Sequence, residues 1–192
     1  IICSGKTMLT NYVRTLGHIV IDCDEINREI LSPDSKEYPY LFDKISELFP
    51  DVIVDNKIDR RLLRELIFDN FIYRKMLEDL VYPVIKNVVK RRIKAFSKGQ
   101  LVSNKPRIIF LSAPLLFESG FDEMCDEIII VKANRNVLIE RLCQRDGIDY
   151  DEAINALSIR MTENELIELA KAHTFEPYII DNSADLYSLQ YY

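Results

Sequence analysis

The sequence predicts an α/β fold with a mainly parallel sheet, and three observations carry that prediction. Short β-branched or apolar runs recur along the chain: HIVID (18–22), RIIFL (107–111), EIIIV (127–131) and YIIDN (178–182). Helix-periodic sequence separates them, the pattern of parallel strands joined by helical crossovers. The chain also opens on IICSGKT, the closing half of a phosphate-binding loop, directly ahead of an apolar-periodic segment.

Taken in order, Thr7–Leu16 reads as a helix that Gly17 ends. HIVID reads as a buried strand, and Glu25–Leu31 as the next helix. From Tyr38 to about Phe96 the signal is almost all helix. Its apolar stripes are Leu41, Ile45, Leu48 and Phe49; Leu62, Leu63, Leu66 and Ile67; and Leu77, Leu80, Val81, Val84, Ile85 and Val88. Pro83 either starts a new helix or kinks the old one. Ser97–Pro106 is polar with Gly and Pro, a loop. RIIFL and EIIIV read as fully buried strands. Asn134–Arg145 and Asp149–Met161 are helical around Gly147, and YIIDN is a last short strand. The helical stretch between HIVID and RIIFL is too long for one crossover, so it is expected to be an inserted lobe.

Bulk properties narrow the function classes. A chain of 192 residues supports one core, or a core with small lobes. The longest apolar run, Ile108–Phe117, is broken by Ser112 and Pro114 and falls short of a membrane span, and no secretory leader is visible. The net charge of −6 argues against a general nucleic-acid binder but allows a local cationic pocket. Cys3, Cys23, Cys125 and Cys143 form no C-x-x-C pair, which fits reduced thiols in a cytosolic protein. The histidines, His18 and His173, lie too far apart in sequence to suggest a shared metal site.

Four segments can carry chemistry, and each has a plainer alternative. Ser4-Gly5-Lys6-Thr7 supplies the half of a phosphate loop in which backbone amides and the lysine meet phosphate oxygens and the threonine hydroxyl meets Mg²⁺. The glycine that opens such a loop falls one position before Ile1, and an isolated Gly-Lys-Thr is common. Asp22 and Asp24, two apart in IDCDE, point the same way if extended and could accept a proton or hold a metal-bound water. Alternatively, one of them caps the next helix. In SAPLLFESG (112–120), Pro114, Leu115, Leu116 and Phe117 could line an apolar pocket with Glu118 at its edge, or simply close the core. Arg141 and Arg145 share a helix face at i, i+4 and could close over a triphosphate, or be a solvated pair beside Glu140. Lys90-Arg91-Arg92 reads as a wet helix face. Cys143 and Met161 read as packing residues, and Tyr187, Tyr191 and Tyr192 as a docked terminus.

In order and interval, these segments resemble the dephospho-coenzyme A kinase family. The matching strings are SGKT from Ser4, HIVIDCDEINREIL from His18, NKIDRRLLRELIF from Asn56 and LEDLVYPVIKNVV from Leu77. They continue with APLLFESG from Ala113, LIERLCQRDGI from Leu138 and YIIDN from Tyr178, so the likeness runs nearly the whole length. The resemblance implies phosphoryl transfer from ATP·Mg²⁺ to the ribose 3′-hydroxyl of dephospho-coenzyme A, in the cytoplasm, by a monomer or small homo-oligomer.

It also implies a P-loop, three-layer core (1–32, 99–133 and 175–192), a helical substrate lobe (33–98) and a small helical lid (134–174). Asp24 is then the base or hydroxyl-orienting group, with Asp22 sharing its site. Cys3, Ser4, Gly5, Lys6, Thr7 and Met8 form the nucleotide loop, and Thr7 serves Mg²⁺. Arg141 and Arg145 are lid arginines, and Asn182 lies where the last strand approaches the adenine. Arg28 and Pro114–Glu118 fall in the substrate region.

Some positions depart from the family pattern. Cys3 stands for a loop glycine, Met8 for a threonine, Ser112 for an aspartate, Tyr82 for a histidine and Arg160 for a glutamine, and the stretch from Thr162 to Phe175 is longer than usual. Two other readings follow: a related nucleoside or nucleoside-monophosphate kinase, or a nucleotide-binding homologue with weak turnover.

Overall fold

The computed structural model describes residues 1–68, 70–99, 108–173 and 176–184. The chain divides into two compact units, one of Ile1–Val20 with Arg107–Tyr192 and one of Ile21–Pro106. The tyrosines expected to dock the terminus, and most of the loop expected before RIIFL, lie outside the described residues.

In the first unit, α1 (Lys6–Thr15) buries Thr10 and Val13, and Gly17 at φ 85 then turns the chain away. The strand β1 (Ile19–Asp22) begins here, and the Ile19 amide donates to the Ile108 carbonyl beside β4 (Ile109–Ser112). The strands β5 (Ile129–Lys132) and β6 (Tyr178–Asp181) pair in parallel, with Ile129 opposite Tyr178 and Lys132 opposite Asp181. Two further backbone bonds, Tyr178 to Ile128 and Asn182 to Lys132, extend that ladder at both ends. Three helices follow β5: α6 (Arg135–Asp146), α7 (Tyr150–Ser158) and α8 (Glu163–His173). Gly147 at φ 69 ends α6 by donating to the Cys143 carbonyl. Asp149 and Glu152 start α7 with a reciprocal capping box.

Among the described residues of this unit lie two small cores. Ile139, Leu142 and Ala153 pack with Ile2, Cys3 and Leu157, which ties α6 and α7 to the phosphate-loop segment. Ile128, Ile130 and Ala170 pack with Leu116, Phe117, Leu166 and Ile167.

The second unit is mainly helical. It holds α2 (Cys23–Ile30), α3 (Tyr38–Leu48), a 3₁₀ turn (Pro50–Val52), the strands β2 (Ile53–Val54) and β3 (Lys57–Ile58), α4 (Arg60–Phe68) and α5 (Phe71–Gly99). Its buried side chains include Ile26, Ile30, Leu41, Ile45, Phe49, Leu63, Leu77, Val81, Ile85, Val88 and Val89. Arg92 pairs with Glu29, which links α5 to α2, and Arg91 meets Glu37 at 2.5 Å. No helix among the described residues is long and apolar enough to cross a membrane.

The α/β reading holds, with corrections of detail. The strands expected to be fully buried are only partly so: Ile129 is exposed, and β4 buries Ser112 alone. Among the described residues β4 and β5 each have one partner strand, which leaves part of their faces uncovered. The helical stretch from Tyr38 contains a hairpin, β2–β3, whose central residues Asp55 and Asn56 both have positive φ (47 and 58). A two-residue hairpin turn of the primed type requires that conformation, and Asp and Asn tolerate it best after glycine. Leu48, placed in a core stripe by its spacing, is exposed.

Pro83 neither starts nor ends a helix, because α5 runs through it to Gly99 and takes in Ser97 from the expected loop. The buried stripe on both sides of Pro83 outweighs the one backbone bond it forgoes. The helix expected to run to Met161 stops at Ser158, and α8 is an additional helix in the longer stretch.

Candidate functional site

The phosphate loop is shaped by two left-handed residues. Gly5 has φ 104 and Cys3 has φ 55, so the position where glycine is usual takes a glycine-like conformation even as cysteine. Ser4 between them is buried, and its hydroxyl donates to the Ile1 carbonyl at 2.9 Å. Gly5 is the N-cap of α1, with no side-chain cap bond and no acidic residue in the first turn. The first amides of any helix lack intrahelical acceptors, and its N-terminus carries partial positive charge. A phosphate is the natural partner for such an end. The Met8 amide is already used, donating to the Gly5 carbonyl at 2.9 Å.

Lys6 reaches across this unit, and its Nζ donates to Ser112 Oγ at 2.8 Å. Ser112 is buried at the end of β4. The lysine therefore rests on a neutral acceptor, which orients it without neutralising it. Thr7 is exposed one residue further along.

The two arginines of α6 behave differently. Arg141 turns toward the backbone: Nη2 donates to the Asn182 carbonyl at 3.0 Å, and Nη1 lies 3.5 Å from the Cys3 carbonyl. Arg145 grips the Asp146 carboxylate through Nε and Nη2 at 2.7 and 2.8 Å. Those hydrogen bonds hold Asp146 below the ordinary carboxylate range. Burial pushes the Cys3 thiol up, Arg145 and Arg141 oppose that, and Asp146 reinforces it. The thiol is thus kept neutral beside the loop. Asn182 is fully buried, and its Nδ2 donates to the Ser4 carbonyl at 2.8 Å.

The PLLFE segment is a tight turn, with Ser119 donating back to the Leu115 and Leu116 carbonyls. Pro114 and Glu118 are exposed, and Leu115 is half-buried. Leu116 and Phe117 pack on Ile128, Ile130 and Ala170, the arrangement of a segment that closes a core.

Asp22, Asp24 and Arg28 belong to the second unit. The strand stops at Asp22 and α2 begins at Cys23, so the two aspartates are not two apart on an extended segment. Asp22 is the N-cap, the alternative the sequence also offered, accepting from the Asp24 and Glu25 amides at 2.9 and 3.2 Å. Capping starts α2 two residues earlier than its apolar spacing suggested. Asp24 is exposed in the first helical turn, and Arg28 Nε donates to the Asp24 carbonyl at 3.2 Å.

The first unit thus gathers Cys3, Ser4, Gly5, Lys6, Arg141, Arg145 and Asn182 around one loop. Two links escaped sequence reasoning, the bond of Lys6 to Ser112 and that of the Asn182 side chain to Ser4. Their partners lie 106 and 178 residues apart, and no local pattern encodes either.

Comparison with known proteins agrees with this architecture. The structure is similar to the crystal structure of TT1252 from Thermus thermophilus, with a TM-score of 0.73 and 24% identity, covering 98% of this chain and 88% of that one. It is also similar to a dephospho-CoA kinase from Campylobacter jejuni, with a TM-score of 0.63 and 24% identity, covering 99% and 88%. These likenesses bear on the fold.

In sequence, the chain is 31% identical over 191 residues to a dephospho-CoA kinase of Prochlorococcus marinus strain MIT 9312, covering 96% of this chain and 85% of that protein. Over 188 residues it is 31% identical to one of Bacillus licheniformis, covering 96% and 86%. The dephospho-CoA kinase family model matches residues 1–187. By that match over nearly its whole length, the chain belongs to the dephospho-CoA kinase family.

Proposed function

We propose that this protein transfers the γ-phosphoryl group of ATP to the ribose 3′-hydroxyl of dephospho-coenzyme A, giving ADP and coenzyme A. The observation that carries the reading is the uncapped, acid-free N-terminus of α1 with Lys6 beside it, in a chain matched throughout by a kinase family. In the reaction the bond from the γ-phosphorus to the β,γ-bridging oxygen breaks as the 3′-oxygen–phosphorus bond forms. Asp24 takes the hydroxyl proton, and Asp22 supports that site through its hold on α2. Such a transfer needs mainly positioning and charge neutralisation.

The loop residues Cys3 to Met8 cradle the phosphates, and Lys6, Arg141 and Arg145 share the developing charge. Mg²⁺ would be held by the phosphates and Thr7. Asn182 marks the adenine side, and Arg28 with Pro114–Glu118 serves the second substrate. The same reading gives the core (1–32, 99–133, 175–192), the substrate lobe (33–98) and the lid (134–174), the lid excluding water during transfer. It places the enzyme in the cytoplasm, where its four cysteines stay reduced.

Purified protein given ATP and dephospho-coenzyme A is expected to form ADP and coenzyme A. Lys6→Ala and Asp24→Asn should each lower the rate by on the order of 10²-fold or more. A loss within about tenfold for either would remove it from the assigned role. Ser112 favours a second reading, a homologue that binds nucleotide but turns over slowly, because it meets Lys6 where an acid is usual. Tight ATP binding by calorimetry with no ADP formed would select that reading. A substrate panel with nucleosides and nucleoside monophosphates separates the related kinases.

A further inference from the structure

We propose that Asn182, assisted by Arg141, is a positioning residue that sets the phosphate loop in its anion-accepting shape before nucleotide arrives. This rests on the kinase reading only for its activity consequences.

The argument begins with what fixes Asn182 itself. Its amide donates to the Lys132 carbonyl at 2.8 Å, continuing the parallel β5–β6 ladder by one step. Its carbonyl accepts from Arg141 Nη2 at 3.0 Å. The residue is fully buried, so both its backbone and its side chain are held by the sheet and by α6.

From that anchor, Nδ2 donates to the Ser4 carbonyl at 2.8 Å. The peptide unit is planar and trans, so the Ser4 carbonyl and the Gly5 amide point in opposite directions. A bond that draws the carbonyl toward β6 therefore aims the Gly5 N–H the other way. Arg141, which holds the Asn182 carbonyl through Nη2, also meets the preceding peptide, its Nη1 lying 3.5 Å from the Cys3 carbonyl. The two left-handed residues, Cys3 and Gly5, flank Ser4, whose carbonyl is braced, and concave groups of amides built on such left-handed turns receive anions.

The other half of the Asn182 side chain supports the same role. Its Oδ1 is buried with no hydrogen-bond partner. An orphaned buried acceptor is unfavourable, and an apolar side chain of similar size would avoid it. What such a side chain could not supply is the donor to Ser4. Without that donor the buried Ser4 carbonyl would lose its partner and the loop could turn over.

The test separates a loop brace from a direct contact with the adenine. Calorimetry compares ATP with inorganic tripolyphosphate, which has no base, on the parent protein and on Asn182→Ala. A brace predicts that both probes weaken at least tenfold. In nucleotide-free protein the Gly5 amide order parameter should fall from about 0.85 to below about 0.6. Should Asn182→Ala unfold the chain, Asn182→Leu, apolar, of similar size and without a donor, is read in the same way. Weakened ATP with unchanged tripolyphosphate, or an unchanged Gly5 order parameter, would overturn the proposal. If no coenzyme A is formed at all, the kinase reading fails while the tripolyphosphate and amide measurements still decide this one.

Discussion

Cys3 occupies a left-handed conformation at φ 55, one that an L side chain adopts only at an energetic penalty. A β-branched residue there meets a harder clash than an unbranched thiol. Cys3→Val should therefore destabilise the protein by about 1–2 kcal/mol and raise the KM for ATP. Urea unfolding and steady-state kinetics check both, and unchanged values would mean that the loop does not need this turn. Cys3→Gly should keep ATP binding, because it supplies the freedom the turn uses. The link of Lys6 to Ser112 makes a second prediction. Ser112→Ala removes one neutral acceptor, so kcat/KM for ATP should fall by about fivefold, the equivalent of a hydrogen bond of ~1 kcal/mol. Neither the contact of Ser112 nor the turn at Cys3 could be read from the sequence. Ser112 stood out there only as a departure from an acid, and Cys3 only as a departure from glycine.

The helices show how far local signals carry. The stop at Gly17, and the paired helices around Gly147, follow from residues that tolerate left-handed φ, and both could be read directly. The α8 helix had a readable start as well, since Thr162 and Glu165 cap each other in the T-x-x-E pattern. Its sparse apolar face, Leu166, Ile167 and Ala170, masked it. The β2–β3 hairpin was hidden because two-residue strands are too short to show a period. Asp149→Ala, which breaks the capping box of α7, should lower stability by about 1 kcal/mol in a denaturant titration. Pro83 gives the opposite sign. It is exposed within a continuous helix, where proline is disfavoured by about 3 kcal/mol relative to alanine. Part of that is offset because proline restricts the unfolded chain by about 1 kcal/mol. Pro83→Ala should raise stability by roughly 1–2 kcal/mol, and a lower denaturation midpoint would show that α5 needs its proline.

Across the whole molecule, acids in both units are held below their ordinary range. Side-chain bonds from Arg145 do this for Asp146, the Thr162 backbone amide chiefly for Glu165, and Ser183 chiefly for Asp181. The Leu62 amide does so for Asp59; at Glu37 burial opposes the shift, but bonds from Ser35 and Arg91 outweigh it. A depressed folded pKa contributes stability that is present above the unfolded value and lost as pH falls through the folded one. The ordinary values are 4.5 for glutamate and 3.8 for aspartate. The melting temperature should therefore change little through these groups from about pH 7 to 5 and decline below about pH 4. Thermal melts across that range check the sign, and a rise on acidification would refute it.

The sequence by itself determined the α/β class, the bounds of α1 and α6 to within a residue, the phosphate-loop fragment and the family. Each depends on residues near one another in the chain, or on motifs in a fixed order. Tertiary structure alone decided what those motifs touch. It gave Lys6 to Ser112, turned Arg141 onto the Cys3 and Asn182 carbonyls, and brought Asn182 to Ser4. Local pattern reports which backbone shape a segment prefers, whereas these bonds exist only once packing has brought distant segments within hydrogen-bond reach.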